Sequence, residues 1–181
     1  MGSRRLGVRR LNALSKKGQS VTGSMGNGVS GSIGHRMIRR IGQEIITEIY
    51  VDLASSKGVL YQAGTTGTII GHSSSAAGAQ SAGKANLTQV TTPENGIVTL
   101  VEVTCVEAPT GGDADIDLVF AATEQVYSGS TSLTSIIAAG GNLVLGSENA
   151  TLYDANELED KYLYFSNGAA TDGADATAYT A

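Results

Sequence analysis

Hydrophobic and polar positions alternate in short runs along most of this chain. In EIITEIYVDL (44–53), Ile45, Thr47, Ile49, Val51 and Leu53 fall on one face. Glu44, Glu48, Tyr50 and Asp52 fall on the other, with Ile46 the exception. A period of two over this length predicts a half-buried β-strand, beginning abruptly at Gln43. Residues 59–62 and 68–71 read as a weak hairpin around turn residues 64–67, and 72–84 (HSSSAAGAQSAGK) as a small, polar surface loop. Residues 87–91 make the next short strand, closed by the turn chemistry of Pro93-Glu94-Asn95-Gly96.

The most apolar run, IVTLVEVTCVEA (97–108), places Val98, Leu100 and Val106 on one face and Ile97, Val101, Val103 and Cys105 on the other. A strand apolar on both faces is predicted near the middle of a sheet or between two layers. In 115–121, Ile116, Leu118 and Phe120 alternate with mostly polar positions; 132–139 reads as a helical turn or irregular crossing, and 142–145 as a short strand. In KYLYFSN (161–167), Tyr162 and Tyr164 lie on one face and Leu163 and Phe165 on the other, and 176–180 is the last strand. About eight short strands separated by regular turn signals predict an all-β fold, a jelly roll or β-sandwich, and not alternating βα units.

Residues 1–42 do not share this pattern. Residues 1–20 (MGSRRLGVRRLNALSKKGQS) hold at most one short helix, and 21–34 (VTGSMGNGVSGSIG) form a Gly/Ser-rich linker without period or bulk. The chain therefore divides into an extended basic arm, 1–42, and a β domain, 43–181. Composition adds that the core is thin: Gly is 24 of 181 residues, Trp is absent, aromatics are 5% and charged residues 16%. A domain with so little bulk is weakly stable alone, so burial against neighbouring subunits is expected to supply the remainder.

Charge is divided sharply. Arg4, Arg5, Arg9, Arg10, Lys16, Lys17, Arg36, Arg39 and Arg40 give residues 1–43 a charge of +9, with no Asp or Glu. Residues 44–181 hold three Lys against all 17 acids, or −14, for the net −5. Such a tail seeks an anionic partner, either nucleic-acid phosphates or the acidic surface of a neighbouring subunit. Leu6, Val8, Leu11, Leu14, Met25, Ile33, Met37, Ile38 and Ile41 are more hydrophobes than a solubilising tail needs, and they favour an arm that lies on a partner. The Arg-rich start is not followed by an apolar segment of the secretory type, and no run approaches the length of a membrane helix. The chain is expected to be made soluble in a reducing compartment, with Cys105 a small buried hydrophobe.

Catalytic chemistry finds few candidates. Asp113, Asp115 and Asp117, with Glu124 eleven residues after Asp113, copy the ligand spacing of a helix-loop-helix calcium site. Leu118 stands where that loop needs Gly, and the alternation of Ile116, Leu118 and Phe120 explains the spacing as a solvated strand face without metal. His35 and His72 sit outside any nucleophile context, and neither a phosphate-binding loop nor a metal-binding His/Cys pair is present. The reading is of a non-enzymatic protein needing no cofactor.

The segments GSRRLGVRRLNALSKKGQ, GHRMIRRIGQEIITEIYVDL, EAPTGGDADIDLVF and DKYLYFSNGAATDG together resemble small virion structural proteins of marine tailed bacteriophages. The resemblance covers most of the chain and implies a particle component, foremost a capsid decoration or cement protein made in the host cytoplasm. It implies other virion proteins as partners, the major capsid protein above all; self-association is expected from the thin core, and no membrane from the lack of a long apolar run. Alternatives are a virion component whose arm tracks genome phosphates, or a tail, neck or fibre protein, including a calcium- or glycan-binding adhesin. On the body, the face bearing Tyr162 and Tyr164 is expected to meet another chain.

Overall fold

The computed structural model describes residues 21–23, 34–41, 44–54, 59–62, 66–71, 85–127, 130, 132–138, 143–153, 156–168 and 177–180. In chain order the strands are β1 (Val21–Gly23), β2 (Gly34–Ile41), β3 (Glu44–Val51), β4 (Tyr61–Gln62), β5 (Thr88–Gln89) and β6 (Leu100–Thr104). There follow β7 (Ile116–Ala121), β8 (Thr134–Ile137), β9 (Glu148–Leu152), β10 (Tyr162–Asn167) and β11 (Thr177–Ala178). One helical turn, α1 (Thr92–Asn95), separates β5 from β6. The fold is all-β, and its strands pair in the orders β1-β2-β3, β5-β10-β7-β8, β11-β4 and β6-β9, antiparallel throughout.

The centre belongs to β7 and β10, which pair along six positions from Tyr162 opposite Ala121 to Asn167 opposite Ile116. Their side chains alternate between two hydrophobic clusters. Ile116, Leu118 and Leu163 join the larger one with Leu60, Ile70, Leu87, Val90, Ile136, Ile137, Leu158 and Tyr179. Val119, Ala121 and Tyr164 join the smaller one, with Ile69 and Ala85. The second edge of β10 is divided. β5 takes Tyr162 and Leu163, while Ile70 N donates to Phe165 O and Asn167 N to Thr68 O. A bulge between Leu118 and Val119 leaves Ile136 of β8 without an opposite residue in β7, and Ile136 and Ile137, consecutive in sequence, are both buried.

Four expectations change. The pattern assigns 34–41 to the arm, but these residues form β2 and pair with β3 over eight residues, from Gly34 opposite Val51 to Ile41 opposite Glu44. The basic residues of HRMIRRI break the period-two signal, yet a ladder uses backbone groups, and β3 offers its edge whatever the side chains are. The strongly apolar run 97–108 is not central: among the described residues β6 pairs with β9 alone, and Ile97, Leu100 and Val106 are exposed. Of the predicted strand 142–145, the described residues 143–145 form none. Leu145 and Gly146 instead turn the chain into β9, while the predicted irregular crossing at 132–139 contains β8. The pairing of Tyr61 with Gly71 matches the predicted 59–71 hairpin, and Cys105 is buried as expected.

Candidate assembly surface

The β6–β9 ribbon has one face towards the core and one towards solvent. In its register Leu100 lies opposite Leu152, Glu102 opposite Ala150 and Thr104 opposite Glu148. All six are exposed, Leu152 to 81%. The intervening Val101, Val103, Asn149 and Thr151 are half-buried; the two valines pack against the larger cluster, and Thr151 Oγ1 donates to Ile136 O at 2.9 Å. At the far end, Cys105 N donates to Ser147 O at 3.0 Å and Gly146 N to Cys105 O at 2.8 Å. These bonds hold the turn 144–147 beside Val106, so Val144, Leu145 and Val106, all more than half exposed, gather there. The outward face thus runs apolar, acidic, apolar.

The tyrosines predicted to meet a partner divide between two environments. Tyr162 is half-buried against the smaller cluster. Tyr164 is 0% exposed, and its hydroxyl accepts from Gln125 N at 2.8 Å. The structure corrects its assignment as an interface residue, because the β10 face that carries it is covered by Ile69 and Ala85 of this same chain.

The aspartates also change role. Asp113 and Asp115 are buried, not solvated, because they precede β7 in a tight turn over which the C-terminal segment folds. Asp113 Oδ1 accepts from Asp115 N at 2.9 Å, and Asp113 O accepts from the Tyr179 hydroxyl at 2.9 Å. Gly168 N donates to Asp115 O, and a Cβ on Gly168 would overlap the Asp115 carboxylate, so this position is held to glycine. Asp117 is half-buried in β7 opposite Ser166. Glu124 lies beyond the other end of β7 and accepts from Asn86 Nδ2 at 2.7 Å. A strand of six residues spans about 20 Å, so Asp113 and Glu124 do not converge on one ion. Among the described residues no three His, Cys, Asp or Glu side chains come together as a metal-holding group.

Of the basic positions, Arg36, Arg39 and Arg40 have their backbone in β2, opposite Ile49, Ile46 and Ile45. Arg4, Arg5, Arg9, Arg10, Lys16 and Lys17 lie outside the described residues. Sequence reasoning missed the outward face of β6–β9. The signal for it was the apolar character of Leu100, Val106, Val144, Leu145 and Leu152, all read as core-forming or left unassigned.

Two phenols give the fold a dependence on alkaline pH. Burial pushes the Tyr164 hydroxyl up to about 12, against the hydrogen bond from Gln125; Glu124 and Tyr162 push it the same way as burial. Burial, and then Asp113, raises Tyr179 as well. A phenol whose proton is held more tightly in the folded chain contributes stability that is complete below about pH 10 and is lost as pH rises through the folded value. Circular dichroism along an alkaline titration is expected to show unfolding between these limits. A Tyr164→Phe variant should lose stability less steeply over the same window.

Among the described residues no helix is long and apolar enough to cross a membrane. Comparison of this chain with protein-family models, with curated proteins and with solved structures finds no match.

Proposed function

We propose that this chain is a non-enzymatic structural subunit of a tailed-phage particle, foremost a capsid decoration or cement protein, whose basic N-terminal segment engages neighbouring subunits. The observation that carries the reading is the solvent-facing side of β6–β9, where apolar and acidic side chains stand together in a part of the chain, 44–181, that carries −14, while residues 1–20 carry +6. Exposed apolar groups gathered in one place mark contact surfaces, and opposite charge supplies orientation and rate of encounter. The clusters on both faces of the β5-β10-β7-β8 sheet support a layered architecture of the sandwich or jelly-roll kind. The resemblance to marine phage virion proteins supplies the kind of assembly.

An antibody against the purified chain should detect it in density-gradient-purified particles from the source culture. Abundant protein in infected cells with none in particles would sink the reading. Deleting residues 1–20 is expected to leave the melting temperature of the domain unchanged and to abolish its incorporation. Deleting 1–42 tests something else, because it also strips β2 from β3. If the arm instead tracks genome phosphates, the full chain will retain duplex DNA with a steep salt dependence and will not self-associate.

A further inference from the structure

We propose that the outward face of the β6–β9 ribbon is the docking surface for residues 1–20 of a neighbouring copy of this chain. The inference rests on the reading of the protein as an assembling subunit and names the two surfaces that meet.

Leu100 and Leu152 stand side by side at one end of the face, Val106, Val144 and Leu145 at the other, and Glu102 and Glu148 between them. An occupant must therefore bring hydrophobes interspersed with positive charge. Residues 1–20 have that composition: Leu6, Val8, Leu11 and Leu14 alternate with Arg4, Arg5, Arg9, Arg10, Lys16 and Lys17, without one acid. Elsewhere the nearest match is β2, with Arg36, Arg39 and Arg40 among Met37, Ile38 and Ile41, but its backbone is already engaged between β1 and β3. Among the described side chains from residue 44 onward, Lys161 is the one basic group. Two copies meeting ribbon to ribbon would set Glu102 and Glu148 against their own counterparts, and like charges brought together on desolvation oppose such a dimer. Length is sufficient as well. Twenty extended residues reach about 66 Å, against about 17 Å for a five-residue ribbon.

The test uses the full chain throughout and reads self-association by sedimentation at low salt. Glu102 and Glu148 are exposed, so the E102K/E148K double variant should keep the wild-type melting temperature. Its self-association constant should weaken at least about tenfold, the equivalent of one interfacial charge pair. A chain with Arg4, Arg5, Arg9 and Arg10 changed to Glu should fail in the same way. Mixing the two variants, or combining all six changes in one chain, should restore association. If the wild type associates and E102K/E148K associates equally well, this face is not the docking surface. If charge reversal weakens association but mixing and combination do not restore it, the arm is not the occupant. A wild type that stays monomeric at every concentration overturns the assembling reading itself, a different failure from the other two.

Discussion

Tyr164→Ala is expected to unfold a large fraction of the protein, while Tyr162→Ala, two residues away on the same strand, leaves it folded. Tyr164 is enclosed by Ile69, Ala85, Val119 and Ala121, and its hydroxyl accepts from Gln125 N. Truncating a buried aromatic to Ala costs about 3–5 kcal/mol in lost burial and residual cavity. The orphaned Gln125 amide adds about 1–3 kcal/mol if water does not reach it. Set against total stabilities of about 5–15 kcal/mol, this leaves little of the native population. Tyr162 is only half-buried, and its removal should cost about 1 kcal/mol, the centre of the range for point substitutions. Urea midpoints separate the outcomes: a Tyr164→Ala midpoint equal to that of the wild type would show that the smaller cluster contributes nothing to stability.

Gly112→Ala should be nearly as damaging, though it adds a single methyl group. A Cβ at that position would lie 2.7 Å from the Tyr179 ring, which is 1% exposed and fixed through its hydroxyl to Asp113 O. The ring has no open side to move towards, because it belongs to the larger cluster with Leu60, whose carbonyl accepts from Tyr179 N. Either the turn 111–115 opens or Tyr179 leaves its place, and leaving forfeits the roughly 3–5 kcal/mol of a lost buried aromatic. Tyr179→Ala should reach the same low stability directly, and combining it with Gly112→Ala should cost little more, since the clash has gone. Additive losses in the double variant would mean that Gly112 and Tyr179 act separately.

β3, β7 and β10 were legible as strands from their short alternating apolar runs, but not in their burial, which does not alternate: β7 and β10 lie between two clusters that cover both of their faces. β9 was not legible. Its inward residues are Asn149 and Thr151 and its outward ones include Ala150 and Leu152, which inverts the polarity that marks a strand. The run 97–108 misled in the opposite sense: an apolar pattern demands cover but does not say which chain supplies it. Asp113 and Asp115 were misplaced because alternation was extended back beyond the start of β7, into a turn that Tyr179 and Gly168 close from distant parts of the sequence. The charge division between the first 43 residues and the rest was legible in full, since it depends on composition alone.

The closure of the core by Tyr179 has a consequence for how the protein acquires its structure. The Tyr179–Asp113 bond joins residues 66 apart, and the Gln89–Asp160 bond residues 71 apart. Contacts this distant must overcome the entropy of large loops before they return any stabilisation. Folding of this topology belongs to the slow class, in about milliseconds to seconds, and not to the microseconds of helical bundles. Throughout that interval the apolar strands of the ribbon and the centre are unpaired, and chains crowded at their site of synthesis are prone to clump. The rate at which β11 and Tyr179 arrive, more than final stability, then governs how much of the newly made protein reaches the folded state.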